Sequence, residues 1–108
     1  MVYLNRVTLA GRMEHDPEIR YTPRGKPVIF LTLSLPSARL ADASLVAEDV
    51  FIRVMLVGEE SAAWAQQEGK AGGNVQVEGG LVQRRWETAE GSVKREIGVV
   101  AHEVKNVK

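Results

Sequence analysis

Hydrophobic and polar positions alternate along most of the chain, and the phase of that alternation defines its elements. Residues 5–14 place Val7, Leu9, Gly11 and Met13 on one side and Arg6, Thr8, Ala10 and Arg12 on the other. A period of two marks a half-buried strand. Asp16-Pro17-Glu18 interrupts it, and Ile19-Arg20-Tyr21 resumes as a short extended piece. Thr22-Pro23-Arg24-Gly25 reads as a turn, with Pro second and Gly fourth. Residues 27–35 form the next strand, with Ile29, Leu31, Leu33 and Leu35 on one face and Val28, Phe30, Thr32 and Ser34 on the other; Pro36 ends it. Residues 36–48 are a long connection, of a length that in small domains is often functional. Residues 49–57 alternate again, Val50, Ile52, Val54 and Leu56 opposite Phe51, Arg53, Met55 and Val57.

Gly58 opens the helical candidate, about residues 59–69. Glu59 and Glu60 suit the positive end of its dipole, Ala62, Ala63, Trp64 and Ala65 supply propensity and apolar surface, and Gly69 is placed to stop it. A long strand follows over 75–87, bent where Gly79-Gly80 permits a kink, with Val75, Val77 and Leu81 as its inward positions. A turn around Gly91 leads to a final strand over 94–107. Three strands, one helix and two strands predict an all-β fold, a five-stranded Greek-key barrel of the OB type with a helix between strands 3 and 4. An SH3-like barrel is the nearest competitor, but it does not normally hold a full helix at that point. The 108 residues suffice for one domain, 1–108, and not for two.

Composition narrows the function. Cysteine is absent, which excludes disulfides and thiolate metal sites. His15 and His102 stand in no HExxH spacing, so a zinc site is not expected, nor any other metal or cofactor. There is no Gly-x-Ser-x-Gly elbow, and Gly25-Lys26-Pro27 lacks the Ser or Thr of a phosphate loop. Gly69-Lys70-Ala71-Gly72-Gly73 follows a helix rather than introducing one, so it reads as a helix stop. The residues therefore do not support an enzyme. No apolar run approaches a membrane span and no secretory signal opens the chain, so a cytoplasmic protein is expected. Lys and Arg number 14, as do Asp and Glu, so long-range attraction to a polyanion is weak and any such binding depends on local charge.

The chemistry that remains lies in Val82-Gln83-Arg84-Arg85-Trp86, whose alternation puts Val82, Arg84 and Trp86 on the outward face. A ring to stack a base beside a cation to meet a phosphate is what single-strand binding requires. Phe51 and Arg53 repeat the pairing on a neighbouring strand. The same residues also suit a second small core or a subunit contact, and the pattern alone leaves both readings open.

Asn5-Arg6-Val7-Thr8-Leu9-Ala10-Gly11-Arg12, then Asp16 through Val28, resembles the opening of the bacterial single-stranded DNA-binding proteins. Val75 through Leu81, then Arg84-Arg85-Trp86-Glu87 and the Gly91 turn, is similar to that family's fourth strand and closing hairpin. The resemblance implies an OB barrel, assembled as a homo-oligomer (a tetramer, alternatively a dimer). It implies sequence-independent binding of single-stranded DNA in replication, recombination and repair, and a nucleoid-associated location. Matched by position, the resemblance makes Trp86 the stacking residue, Arg84 its basic neighbour and Phe51 a second aromatic, and puts Arg12, Arg20, Arg53 and Lys94 on or near positions that face the strand; Arg39 is the candidate cation of the loop. Val57 stands where that family often has an aromatic, and the 36–48 loop offers only Arg39 as a cation. The sequence ends at Val107-Lys108 with no acidic tail, so tail-mediated recruitment of replication and repair enzymes is not expected. Two alternatives stand beside this reading: a primosomal replication protein N (PriB) type of OB domain, and an OB module that binds protein through Phe51 and Trp86.

Overall fold

The computed structural model describes residues 3–37 and 48–107, so residues 38–47 of the long connection, Arg39 among them, lie outside the described residues. The elements run β1 (Val7–Met13), β2 (Glu18–Tyr21), β3 (Pro27–Leu35), β4 (Val50–Val57), α1 (Glu59–Glu68), β5 (Asn74–Glu87) and β6 (Val93–Asn106). Each falls within about two residues of its sequence expectation. The short piece after Pro17 is a strand in its own right, paired with β3 through Glu18↔Phe30 and Arg20↔Val28.

One sheet of order β1-β5-β6-β4-β3-β2 closes into a ring where Arg12 and Met13 of β1 meet Ser34 and Leu33 of β3. All neighbours are antiparallel except β4 and β6, which run parallel through Val54↔Val99. Closure follows from the period-two pattern: one face of every strand must be covered, and a ring covers it with itself. Met13, Ile29, Leu31, Leu33, Val54, Leu56, Val75, Val77 and Val99 fill the interior, all essentially inaccessible.

α1 plugs the barrel with Ala62 and Ala65, small enough to let the helix approach closely. Gly58 turns the chain into the helix at φ 113, a value that favours glycine, and its N–H donates to the Pro27 carbonyl at 3.1 Å. Just past the helix, Gly69 leaves room for no side chain, since a Cβ there would lie 2.5 Å from Pro17 Cγ. Trp64 is half-buried against the core, and its Nε1–H donates to Asn106 Oδ1 at 2.8 Å.

Both tight hairpins use one chemistry, Thr-x-x-Gly. Gly25 and Gly91 take φ 82 and 86, and their N–H groups donate to Thr22 and Thr88 carbonyls at 2.8 and 2.9 Å. A glycine in the left-handed region is what a three-residue hairpin loop demands.

Leu81 has the inward phase but is 42% exposed, because β5 and β6 outrun the barrel. Up to Gly79 the strand lines the core, and from Leu81 to Glu87 it pairs only with β6 as a two-stranded arm. Val50 is likewise exposed, at the end of β4. The arm departs at a bulge: Glu78 pairs with Glu103 but Gly79 with Ala101, which leaves His102 as the extra residue. At its root the Asn5 side chain continues the β1 ladder, donating to the Leu81 carbonyl at 2.8 Å and accepting from the Leu81 N–H at 2.7 Å.

Candidate nucleic-acid interface

Strand register carries the outward residues of five strands onto one face. Glu18 and Arg20 of β2 lie beside Val28 and Phe30 of β3. Phe30, Thr32 and Ser34 lie beside Met55, Arg53 and Phe51 of β4. Met55 adjoins Val100 of β6, and Gly98, Glu96 and Lys94 of β6 lie opposite Val82, Arg84 and Trp86 of β5. In the middle, Phe30, Arg53, Met55, Val82, Arg84 and Gly98 line one shallow cleft. A second opens beside it between Arg53, Arg84, Arg85 and Trp86. Arg53 and Arg84, far apart in sequence, border both.

Cations and rings interleave across this face. The Arg84 guanidinium carbon lies 5.1 Å from the Trp86 ring centre. Arg20 and Arg53 lie 5.6 and 5.7 Å from the ring centre of Phe30. These separations are within cation–π range. Nε of Arg53 and of Arg84 is buried and has no hydrogen-bond partner among the described residues.

The structure thus assembles Trp86, Arg84, Arg53 and Arg20, with Lys94 directly across from Trp86. Phe51 lies toward the rim, 63% exposed, and Arg12 joins it through Ser34, which pairs with both residues. Two residues were overlooked in the sequence. Phe30 has the outward phase of its strand, but nothing local in the sequence distinguishes it from an ordinary strand aromatic. Arg85 has the opposite phase from Trp86 yet reaches the second cleft. Arg39 lies outside the described residues.

One group among the described residues has metal-ligand geometry. Glu78, His102 and Glu103 hold their ligand atoms within 4.8 Å of one another, gathered by the β6 bulge. Spacing could not reveal it, because Glu78 comes from another strand. Two carboxylates and one imidazole fall short of the four-ligand shell of a structural zinc site, and the group lies apart from the clefts.

A closed barrel with a helix between its third and fourth long strands is the OB architecture. The chain belongs to the single-strand binding protein family, whose model matches residues 4–107. It is 35% identical over 106 residues to a single-stranded DNA-binding protein of Thermotoga maritima, covering 97% of this chain and 74% of that one. To the protein of the same name from Aquifex aeolicus it is 34% identical over 103 residues, covering 94% and 69%. Against the Thermus thermophilus protein of that name, 36% identity over 99 residues covers 91% of this chain and 36% of the longer relative. The fold superimposes on a Plasmodium falciparum SSB in complex with ssDNA at TM-score 0.86 and 19% identity, covering 100% and 98% of the two chains.

Proposed function

We propose that this chain binds single-stranded DNA without sequence preference on the outer face of its barrel and arm, as a non-enzymatic binder in replication, recombination and repair. Bases stack on Trp86, Phe51 and Phe30, while Arg84, Arg53, Arg20, Arg12 and Lys94 meet phosphates. The observation that carries the reading is the interleaving of Phe30 and Trp86 with Arg20, Arg53 and Arg84 on one face. Every base has a face to stack, so such a surface tolerates any sequence. The buried donors Arg53 Nε and Arg84 Nε add support, since unpaired buried donors are rare in folded proteins. The family membership of the chain and the names of its relatives point the same way.

The arm's other face supports self-association rather than a foreign protein partner. Leu81, Val93 and Ile97 are exposed there, as are Tyr3 and Leu4 at the start of the chain. Among the described residues, β1 from Val7 to Ala10 pairs only with β5, which leaves its other edge open. An apolar surface and an open edge on one molecule fit a homo-oligomer, a tetramer before a dimer.

The test is a fluorescence titration with oligothymidine of several lengths at low salt. Saturable quenching whose stoichiometry scales with length is expected. Absence of quenching and of any mobility shift would leave the protein-binding alternative in its place.

A further inference from the structure

All three ion pairs among the described residues involve an arginine of the proposed interface: Arg12 with Glu14, Arg20 with Glu18 and Arg84 with Glu96. Two of them build the same three-part unit. Glu18 Oε1 accepts from Arg20 Nε at 2.6 Å, and the same guanidinium lies over Phe30, the cross-strand partner of Glu18. Glu96 lies 3.5 Å from Arg84 Nη2 as its direct cross-strand partner, and that guanidinium lies over Trp86. In each unit a carboxylate holds a cation on an aromatic ring.

Resting on the proposed single-strand binding, we propose that Glu18 and Glu96 are affinity-setting residues that compete with DNA phosphate for Arg20 and Arg84, and that losing this competition uncovers the Phe30 and Trp86 rings for bases. A carboxylate and a phosphate oxygen make the same charge-assisted bond to a guanidinium. The free protein thus carries internal stand-ins for the phosphate. An incoming strand exchanges one ion pair for another, and the guanidinium drawn to the phosphate leaves the ring face. The exchange lowers the net gain per phosphate, because the released carboxylate regains a counterion while the phosphate loses one. Both pairs are partly exposed, so the competition is modest and fast, and it suits a protein that must let go of its strand.

Oligothymidine titrations of the full chain across salt, with Glu18→Gln, Glu96→Gln, Arg84→Gln and the double variant Arg84→Gln/Glu96→Gln, test this. The glutamine variants keep side-chain shape, and thermal melting checks that each is folded. Expected is tighter binding by about two- to fivefold for Glu18→Gln and Glu96→Gln at low salt, the range that exposed ion pairs span. The log–log salt slope should steepen by up to about 0.7 per arginine released. The gain from Glu96→Gln should vanish in the Arg84→Gln background. Glu90→Gln, at the hairpin tip, controls for loss of charge alone. Equal gains with Glu90→Gln or without Arg84 would reduce the effect to general repulsion and overturn the proposal. Weaker binding by Glu96→Gln would overturn it too, showing that the carboxylate holds Arg84 in its binding posture. Failure of the unaltered protein to bind at all would instead overturn the single-strand reading itself.

Discussion

Trp86 and Trp64 are the same residue type in two different settings. Trp86 is 41% exposed on an arm with no core beneath it. Truncating it to Ala should therefore move stability by no more than about 1 kcal/mol. The same change should weaken oligothymidine binding by about 1–3 kcal/mol, the usual worth of one stacked base. Trp64 packs half-buried on the core and bonds Asn106, so Trp64→Ala should cost about 2–3 kcal/mol of stability and leave DNA affinity nearly unchanged. Melting and titration of the two variants check this, and reversed effects would show that the interface is misplaced. The outward placement of Trp86, Arg84, Phe51 and Arg53 was legible because each ring lies two residues from a cation on one strand, a local signal, although Arg53 lies over Phe30 and not over Phe51. The cations over Phe30 were not legible, because they come from the register of β2 and β4, which pairwise spacing in sequence does not encode. The carboxylate partners Glu18 and Glu96 were silent for the same reason.

At the scale of elements, alternation located every strand, because a ring with a filled interior forces each strand to keep its inward phase. Its limit shows at Leu81. A period of two reports which way a side chain points, and not whether anything lies there to cover it. Arm and barrel share two continuous strands, and only the cross-strand shift at Glu78/Gly79 marks where one becomes the other. The Gly79-Gly80 pair hinted at this bend. A Cβ on Gly79 would lie 2.7 Å from Ala101 Cα and run into the Val100 carbonyl, both of them backbone that cannot step aside. Gly79→Ala should therefore destabilise the protein by about 2–4 kcal/mol, more than an ordinary surface substitution. Chemical denaturation measures it. A change below about 0.5 kcal/mol would mean that the two strands separate easily at the bulge.

For the molecule as a whole, 14 cations balance 14 acidic groups, and three interface arginines already hold carboxylates. A shallow salt dependence follows: roughly two to four phosphates neutralised per chain, at about 0.7 in log–log slope for each. Titration from low to physiological salt measures it, and a much steeper slope would place many more cations on the strand than this face holds. The two-stranded arm has a further consequence. Trp86 and Arg84 project from one side of it, and Leu81 and Ile97 from the other, so the same backbone underlies both the proposed DNA face and the proposed self-association face. An isolated two-stranded ribbon is marginal in water, and whatever grips one side also orders the other. Thermodynamic reciprocity then applies: if assembly raises affinity for DNA by some factor, DNA must strengthen assembly by that same factor. Sedimentation of dilute protein with and without short oligothymidine should show the oligomer persisting to lower concentration when the strand is present. Ile97→Asp, which never touches the DNA side, should weaken both equilibria together.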